Sequence, residues 1–173
     1  MKKKLETSFP KDILSSKIIT QTGWTTTNLI TAINAQTLTN EYDLVTLLIG
    51  VNNQYQNRPF SIYEEEFPAL VNKAVDLAKG DKSNVIVVSI PDYAYTPYGN
   101  GSASISAGID KYNTYAANYC LRNNIVFVNI TDITRQGLEN PDLVATDGLH
   151  PSELAYSKFV ERILPKAISV LKN

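Results

Sequence analysis

The only histidine of the chain, His150, stands three residues after a carboxylate in Thr146-Asp147-Gly148-Leu149-His150-Pro151. At that spacing, with a glycine between, Asp147 can curl back to imidazole Nδ1 and leave Nε2 free to act as a base. The plainer reading is a helix-capping Asp followed by a surface His. A second cluster, Gly50-Val51-Asn52-Asn53, follows directly on an apolar run. A glycine there lets backbone approach a ligand, and an Asn on the next turn can donate its amide to a developing oxyanion. Turn chemistry alone would also favour such an Asn pair. Gly23 lies between a short apolar run and the start of an amphipathic stretch. Backbone N–H groups at such a helix start face the end where the dipole favours negative charge, although a lone Gly there can be only a turn.

The elements that must position these groups are legible as alternating runs. Lys17–Thr20 reads as a brief strand before Gly23, and Thr26–Ala35 as a helix with threonines ahead of it as caps. Tyr42–Ile49, Asn84–Ile90 and Ile125–Ile130 are apolar on both faces, as strands buried in a parallel sheet must be. Between them, Ser61–Lys79 and Ile109–Arg122 carry helical stripes, and Glu153–Leu171 reads as a closing helix with Pro165 marking a kink or late break. Tyr93–Gly108 reads as a long loop and Thr131–Pro151 as loop with a short helix. Strand and helix in alternation predict an α/β domain with a parallel sheet covered on both faces, occupying residues 1–173 as one unit. In such sheets ligands gather beyond the carboxyl ends of the strands. His150, Gly23 and the Gly50–Asn53 turn all fall there.

Composition removes several other classes. The chain has 173 residues, 16 Lys+Arg against 17 Asp+Glu, and a net charge of −1, so it carries no electrostatic footprint for nucleic acid or anionic lipid. One Cys and one His supply neither a disulfide framework nor a His/Cys zinc site. No apolar run reaches the length of a membrane span, and Lys2–Lys4 is not followed by the apolar segment of a signal peptide. A glycine-rich nucleotide fingerprint and a P-loop are both absent from the sequence. No cofactor is expected.

In order and spacing, these blocks resemble the SGNH hydrolases, also called GDSL-type lipases and esterases. Thr22-Gly23-Trp24-Thr25-Thr26 is similar to the family's second block, Leu48-Ile49-Gly50-Val51-Asn52-Asn53 to its third and Asp147-Gly148-Leu149-His150-Pro151 to its fifth. The resemblance implies a three-layer α/β/α, flavodoxin-like parallel sheet. It also implies an esterase acting on small acyl, including acetyl, esters, with His150 as base and Asp147 as its orienting acid. Gly23 and Asn52 would be the oxyanion donors. Trp24, Asn53, Tyr55 and Tyr93 fall beyond strand ends, where they could line the pocket. A catalytically inactive module that binds esters or glycans is the alternative.

Two departures from the family pattern stand out. Asn53 replaces the usual Asp of the third block, and the Gly-Asp-Ser block that supplies the nucleophile does not occur. Gly80-Asp81-Lys82-Ser83 precedes a strand instead of following one, and Ser89, at a strand end, is a weak substitute. The implied sheet order places the nucleophile strand between Lys17–Thr20 and Asp43–Ile49. Without it, unpaired backbone groups would each cost about 1–3 kcal/mol if buried. Three arrangements reconcile this: an N-terminally truncated chain, direct pairing of the Ile18 strand with the Leu47 strand, or a strand from another chain. Met1–Glu6 reads as the tail of a first helix, so truncation, and near-inactivity of the 173 residues, are expected.

Overall fold

Val85-Ile86-Val87-Val88 is an unbroken apolar run that would expose half its side chains on any one-sided sheet. In the computed structural model, which describes residues 1–172, it is the central strand of a three-stranded parallel sheet. The strands are β1 (Val45–Leu47), β2 (Val85–Val88) and β3 (Val126–Val128), in the order β1-β2-β3, with Val45 opposite Val85 and Ile86 opposite Val126.

The two-residue period of the strands divides the core. Val85, Val87 and Leu47 pack on one face against Leu29 of α2 (Thr26–Asn34), Leu70, Val71 and Ala74 of α4 (Phe60–Leu77) and Ile109 and Ala116 of α5 (Ala103–Asn123). Ile86, Val88 and Val128 pack on the other against Leu5 of α1 (Lys2–Ser8), Ile133 of α6 (Thr131–Thr134) and Phe159 and Ile163 of α7 (Glu153–Leu171). A one-turn helix, α3 (Val51–Tyr55), follows β1. The result is the expected α/β/α arrangement on a small sheet. Tyr112 and Tyr115 of α5 pack as core residues, with Tyr112 4.6 Å from the Tyr63 ring and 4.9 Å from the Phe60 ring.

Two expectations need correction. Lys17–Thr20 is not a strand, and Ile18 is 77% exposed. A strand exists only where a neighbour completes its hydrogen bonds, and among the described residues β1 pairs with β2 alone. The Ile18 and Leu47 segments therefore do not close upon each other. The loop after β2 ends at Ser102, not Gly108; the Ser102 hydroxyl accepts from Ile105 N–H and starts α5 six residues earlier than its Ser- and Gly-rich first turns suggest. The closing helix, in contrast, has the expected bounds, Glu153–Leu171, with Pro165 inside it. No helix among the described residues is long and apolar enough to cross a membrane.

Because Ile86 is fully buried between the sheet and α7, Ile86→Ala should cost about 2–5 kcal/mol. Urea unfolding should show a lower midpoint at unchanged slope, whereas Leu121→Ala, at a position 77% exposed, should leave the midpoint in place.

Candidate active site

The carboxyl ends of the strands open on a cavity of about 470 Å³, the size of a small-ligand site. Gly23, Trp24, Asn52, Tyr55, Tyr93 and His150 all line it. Residues separated by more than a hundred positions thus meet because each loop leaves the same edge of one parallel sheet.

The loop before α7 holds the histidine. Asp147 Oδ1 accepts from the N–H groups of Leu149 and His150, both at 2.9 Å, while Oδ2 lies 2.6 Å from His150 Nδ1. One carboxylate therefore shapes the turn with one oxygen and orients the imidazole with the other. Ala145 N–H donates to the His150 carbonyl at 2.8 Å, and Ser152 N–H to the Leu143 carbonyl at 2.9 Å, closing the loop at its base. The two backbone N–H bonds, then the imidazole, hold the Asp147 carboxyl down at about 2. With Nδ1 engaged, Nε2 is the nitrogen available to a reacting group.

The opposite wall is built from α3 and the Gly23–Thr26 turn. Gly50 enters α3 with φ of 121°, and a Cβ there would stand 2.6 Å from the Tyr63 ring, so only glycine fits. Asn52 then donates Nδ2 to the Trp24 carbonyl at 3.1 Å, and Gln56 donates to the Gly23 carbonyl at 2.8 Å. An amide carries two N–H donors, so Asn52 keeps one beyond its bond to Trp24. Turning the Gly23 carbonyl toward Gln56 fixes the plane of the adjoining peptide, and the Gly23 N–H has no acceptor among the described residues.

Asn53 is the residue whose placement departs from expectation. It does not reach the cavity; it is fully buried beneath it, with Oδ1 accepting from Thr26 N–H at 2.9 Å and Nδ2 donating to Thr26 Oγ1 at 2.7 Å. Thr26 Oγ1 in turn donates to Glu66, which also accepts from Thr27 Oγ1 at 2.7 Å. A carboxylate at position 53 would face Glu66 across one hydroxyl with a single proton to share. The amide, which donates as well as accepts, suits this site.

Several residues that organise the site carried no sequence signal of their own. Gln54 accepts from Tyr93 Oη at 2.6 Å and occupies space that a Cβ on Gly108 would invade at 2.7 Å, which explains a glycine inside α5. Asp92, fully buried, accepts from Ala94 N–H, Ser106 Oγ and Arg135 Nε at 3.0, 2.5 and 3.0 Å. The alternative nucleophiles are both occupied elsewhere. Ser89 Oγ is buried, accepting from Ile130 N–H and donating to Asn129, and Ser83 donates its N–H and Oγ to Asp81, the cap of a turn at the opposite end of β2.

A family model for the GDSL-like lipase/acylhydrolase family matches residues 5–158. The chain belongs to this family. Its fold likenesses agree: a variant of an acetyl xylan esterase from Geobacillus stearothermophilus superposes with a TM-score of 0.67 at 19% identity, covering 95% of this chain and 78% of that one. A GDSL-like lipase from Bacteroides thetaiotaomicron gives 0.61 at 22%, covering 86% and 73%. An α/β hydrolase from the metagenome of Lake Arreo, Spain, gives 0.65 at 18%, covering 86% and 70%. None of the curated proteins compared with the chain matches it. Membership places the chain among ester and acyl hydrolases, and the likenesses place its small parallel sheet in the SGNH fold.

Two measurements test the site's construction. Asn53→Ala strands the buried Thr26 N–H without an acceptor and Thr26 Oγ1 without a donor, so it should cost roughly 2–5 kcal/mol in urea unfolding. The Asp147 carboxyl is lower in the folded chain than its ordinary value near 4, so its contribution is complete above about pH 4 and is lost as pH falls through about 2. The difference in thermal midpoint between the parent chain and Asp147→Asn should therefore shrink steadily from pH 4 to pH 2.

Proposed function

We propose that these residues are the base and oxyanion half of a serine esterase acting on small acyl esters, acetyl esters included. The observation that carries this reading is the Asp147–His150 pair at 2.6 Å on the same cavity as Gly23 and Asn52. In the reaction a serine hydroxyl attacks the ester carbonyl while His150 Nε2 takes its proton. The oxygen–acyl bond forms, the carbonyl oxygen becomes an oxyanion, and the Gly23 N–H and the free Asn52 N–H stabilise it. Asp147 steadies the imidazolium, which returns the proton to the departing alkoxide as the ester bond breaks. Water then repeats the sequence to release the acid and the serine.

Among the described residues, neither Ser nor Cys lines the cavity. That same observation favours the second reading, a module that binds esters or glycans without cleaving them. Acetyl esters on carbohydrates are the class that the acetyl xylan esterases named among the structural neighbours suggest.

The 173-residue chain should hydrolyse p-nitrophenyl acetate at close to the background rate, and His150→Ala should change nothing. Robust turnover abolished by His150→Ala would overturn near-inactivity and require a surrogate nucleophile. Fusing a strand–loop–helix segment bearing Gly-Asp-Ser ahead of Met1 separates the two readings. The catalytic reading expects turnover that Asn52→Ala lowers by about 10²–10³; the binding reading expects none.

A further inference from the structure

Three tyrosines rise from the cavity to solvent as a graded series: Tyr93 is 8% exposed, Tyr55 38% and Tyr98 58%. Their rings form one continuous cluster, with centroid separations of 5.4 Å for Tyr55–Tyr93, 5.7 Å for Tyr55–Tyr98 and 6.2 Å for Tyr93–Tyr98. Tyr93 and Tyr55 line the cavity beside His150, and Tyr98 extends the surface outward.

The cluster is built on a stiff support. After β2 the chain folds on itself through Thr96 Oγ1 to the Tyr93 carbonyl, Asn100 N–H to the Thr96 carbonyl and Gly101 N–H to the Ala94 carbonyl, all at 2.8 Å. Buried Asp92 pins the start of this loop from inside, and Gln54 holds the Tyr93 hydroxyl from α3. Tyr98 N–H donates to the Gly148 carbonyl at 3.0 Å, two residues from His150. The aromatic surface and the imidazole are therefore locked in one frame. Such preorganisation reduces the ordering cost that usually weakens binding to exposed rings.

The cavity is also electrically quiet. Among the described residues its one lining carboxylate is Asp92, which is fully buried and paired with Arg135; no Lys or Arg lines it, and His150 on its wall is paired with Asp147. The Tyr98 hydroxyl and burial push the Tyr55 and Tyr93 phenols up, so both stay neutral across the working range of pH. Hydroxyls and amides line the same cavity, among them Thr22, Thr96, Gln21 and Gln56. A charged leaving group finds no counter-ion here, and a long acyl chain finds an open rim instead of a closed apolar tunnel. Flat aromatic faces edged by neutral donors and acceptors match a pyranose, whose C–H face stacks on a ring while its hydroxyls hydrogen-bond at the edge.

We infer that Tyr93, Tyr55 and Tyr98 form the subsite for the alcohol side of the substrate, and that it takes a neutral pyranose of an oligosaccharide. The subsite rests on the acyl-transfer reading only for where the ester lies; ring stacking itself needs no nucleophile. Binding can therefore be measured on the 173-residue chain. Titration with xylohexaose, followed by amide chemical shifts, should move Tyr98 and Gly148 in a saturable way. Tyr55→Ala and Tyr98→Ala, both at exposed rings whose loss leaves the core intact, should each weaken binding about tenfold. Tyr98→Phe should retain parental affinity, because the ring and not the hydroxyl supplies the contact. Leu121→Ala, at an exposed position outside the cavity lining, should bind as the parent does.

Absence of shifts at these amides would overturn the subsite, as would binding indifferent to both alanine variants. A Tyr98→Phe loss as large as that of Tyr98→Ala would overturn stacking. None of these results touches the acyl-transfer reading, which stands or falls on His150-dependent turnover by the chain fused to a Gly-Asp-Ser segment. Conversely, failure of that turnover with tyrosine-dependent binding intact leaves the subsite standing in a glycan-binding module.

Discussion

Asn53 and Thr26 exchange two buried hydrogen bonds across 27 positions of chain, and the wall of the cavity facing His150 takes its shape from them. Thr26 begins α2 and Asn53 sits inside α3, so these bonds clamp the start of one helix to the body of the other. Once the two elements are joined, Asn52 meets the Trp24 carbonyl and Gln56 meets the Gly23 carbonyl from adjacent turns. Leaving either Thr26 group unpaired in a site fully closed to water would cost about as much as several surface ion pairs contribute. The clamp is thus held by the expense of opening it more than by the strength of its bonds.

The same logic explains an amide where the family pattern has an acid. Thr26 Oγ1 hands its proton to Glu66, so whatever faces it from α3 must donate. Asn53 does so with Nδ2 while its Oδ1 serves the Thr26 N–H. Two carboxylates about one hydroxyl would repel, and at a buried position they would do so at low effective dielectric. The charge moves from the turn to α4, where Glu66 is partly exposed and can keep it.

Much of this was readable from the residues. The run Val85–Val88 could lie only between two layers, and its alternation assigned Val87 and Ile86 to opposite cores. The Asp147–His150 spacing led directly to a local turn, because both partners belong to one loop and depend on little else. Lys17–Thr20 was misleading because its β-rich residues describe a preference that only a pairing strand can realise. The start of α5 was hidden because Ser, Gly and Ala in its first turns are there for neighbours. Ser102 caps, Ser106 serves Asp92, and Gly108 makes room for Gln54. Asn53 stands next to Asn52 in sequence, but adjacency in sequence is not adjacency in space. On a helix, neighbouring positions point about 100° apart, so one faced the cavity and the other the core.

The site is self-supporting, and that bears on what a nucleophile would have to do under the proposed reading. His150 is oriented by a carboxylate that its own turn fixes through two backbone bonds, and the turn is closed by Ala145 and Ser152. The donor wall is fixed by bonds between α2 and α3. The tyrosine surface is fixed by its own loop and by one bond to the His150 turn. None of these supports passes through the outer edge of β1. Under the proposed acyl-transfer reading, a serine brought to the cavity would therefore meet its base and oxyanion donors already in position, without first having to organise them. In a site of this kind the catalytic advantage lies in that prior order, since dipoles fixed before the reaction need no reorganisation during it.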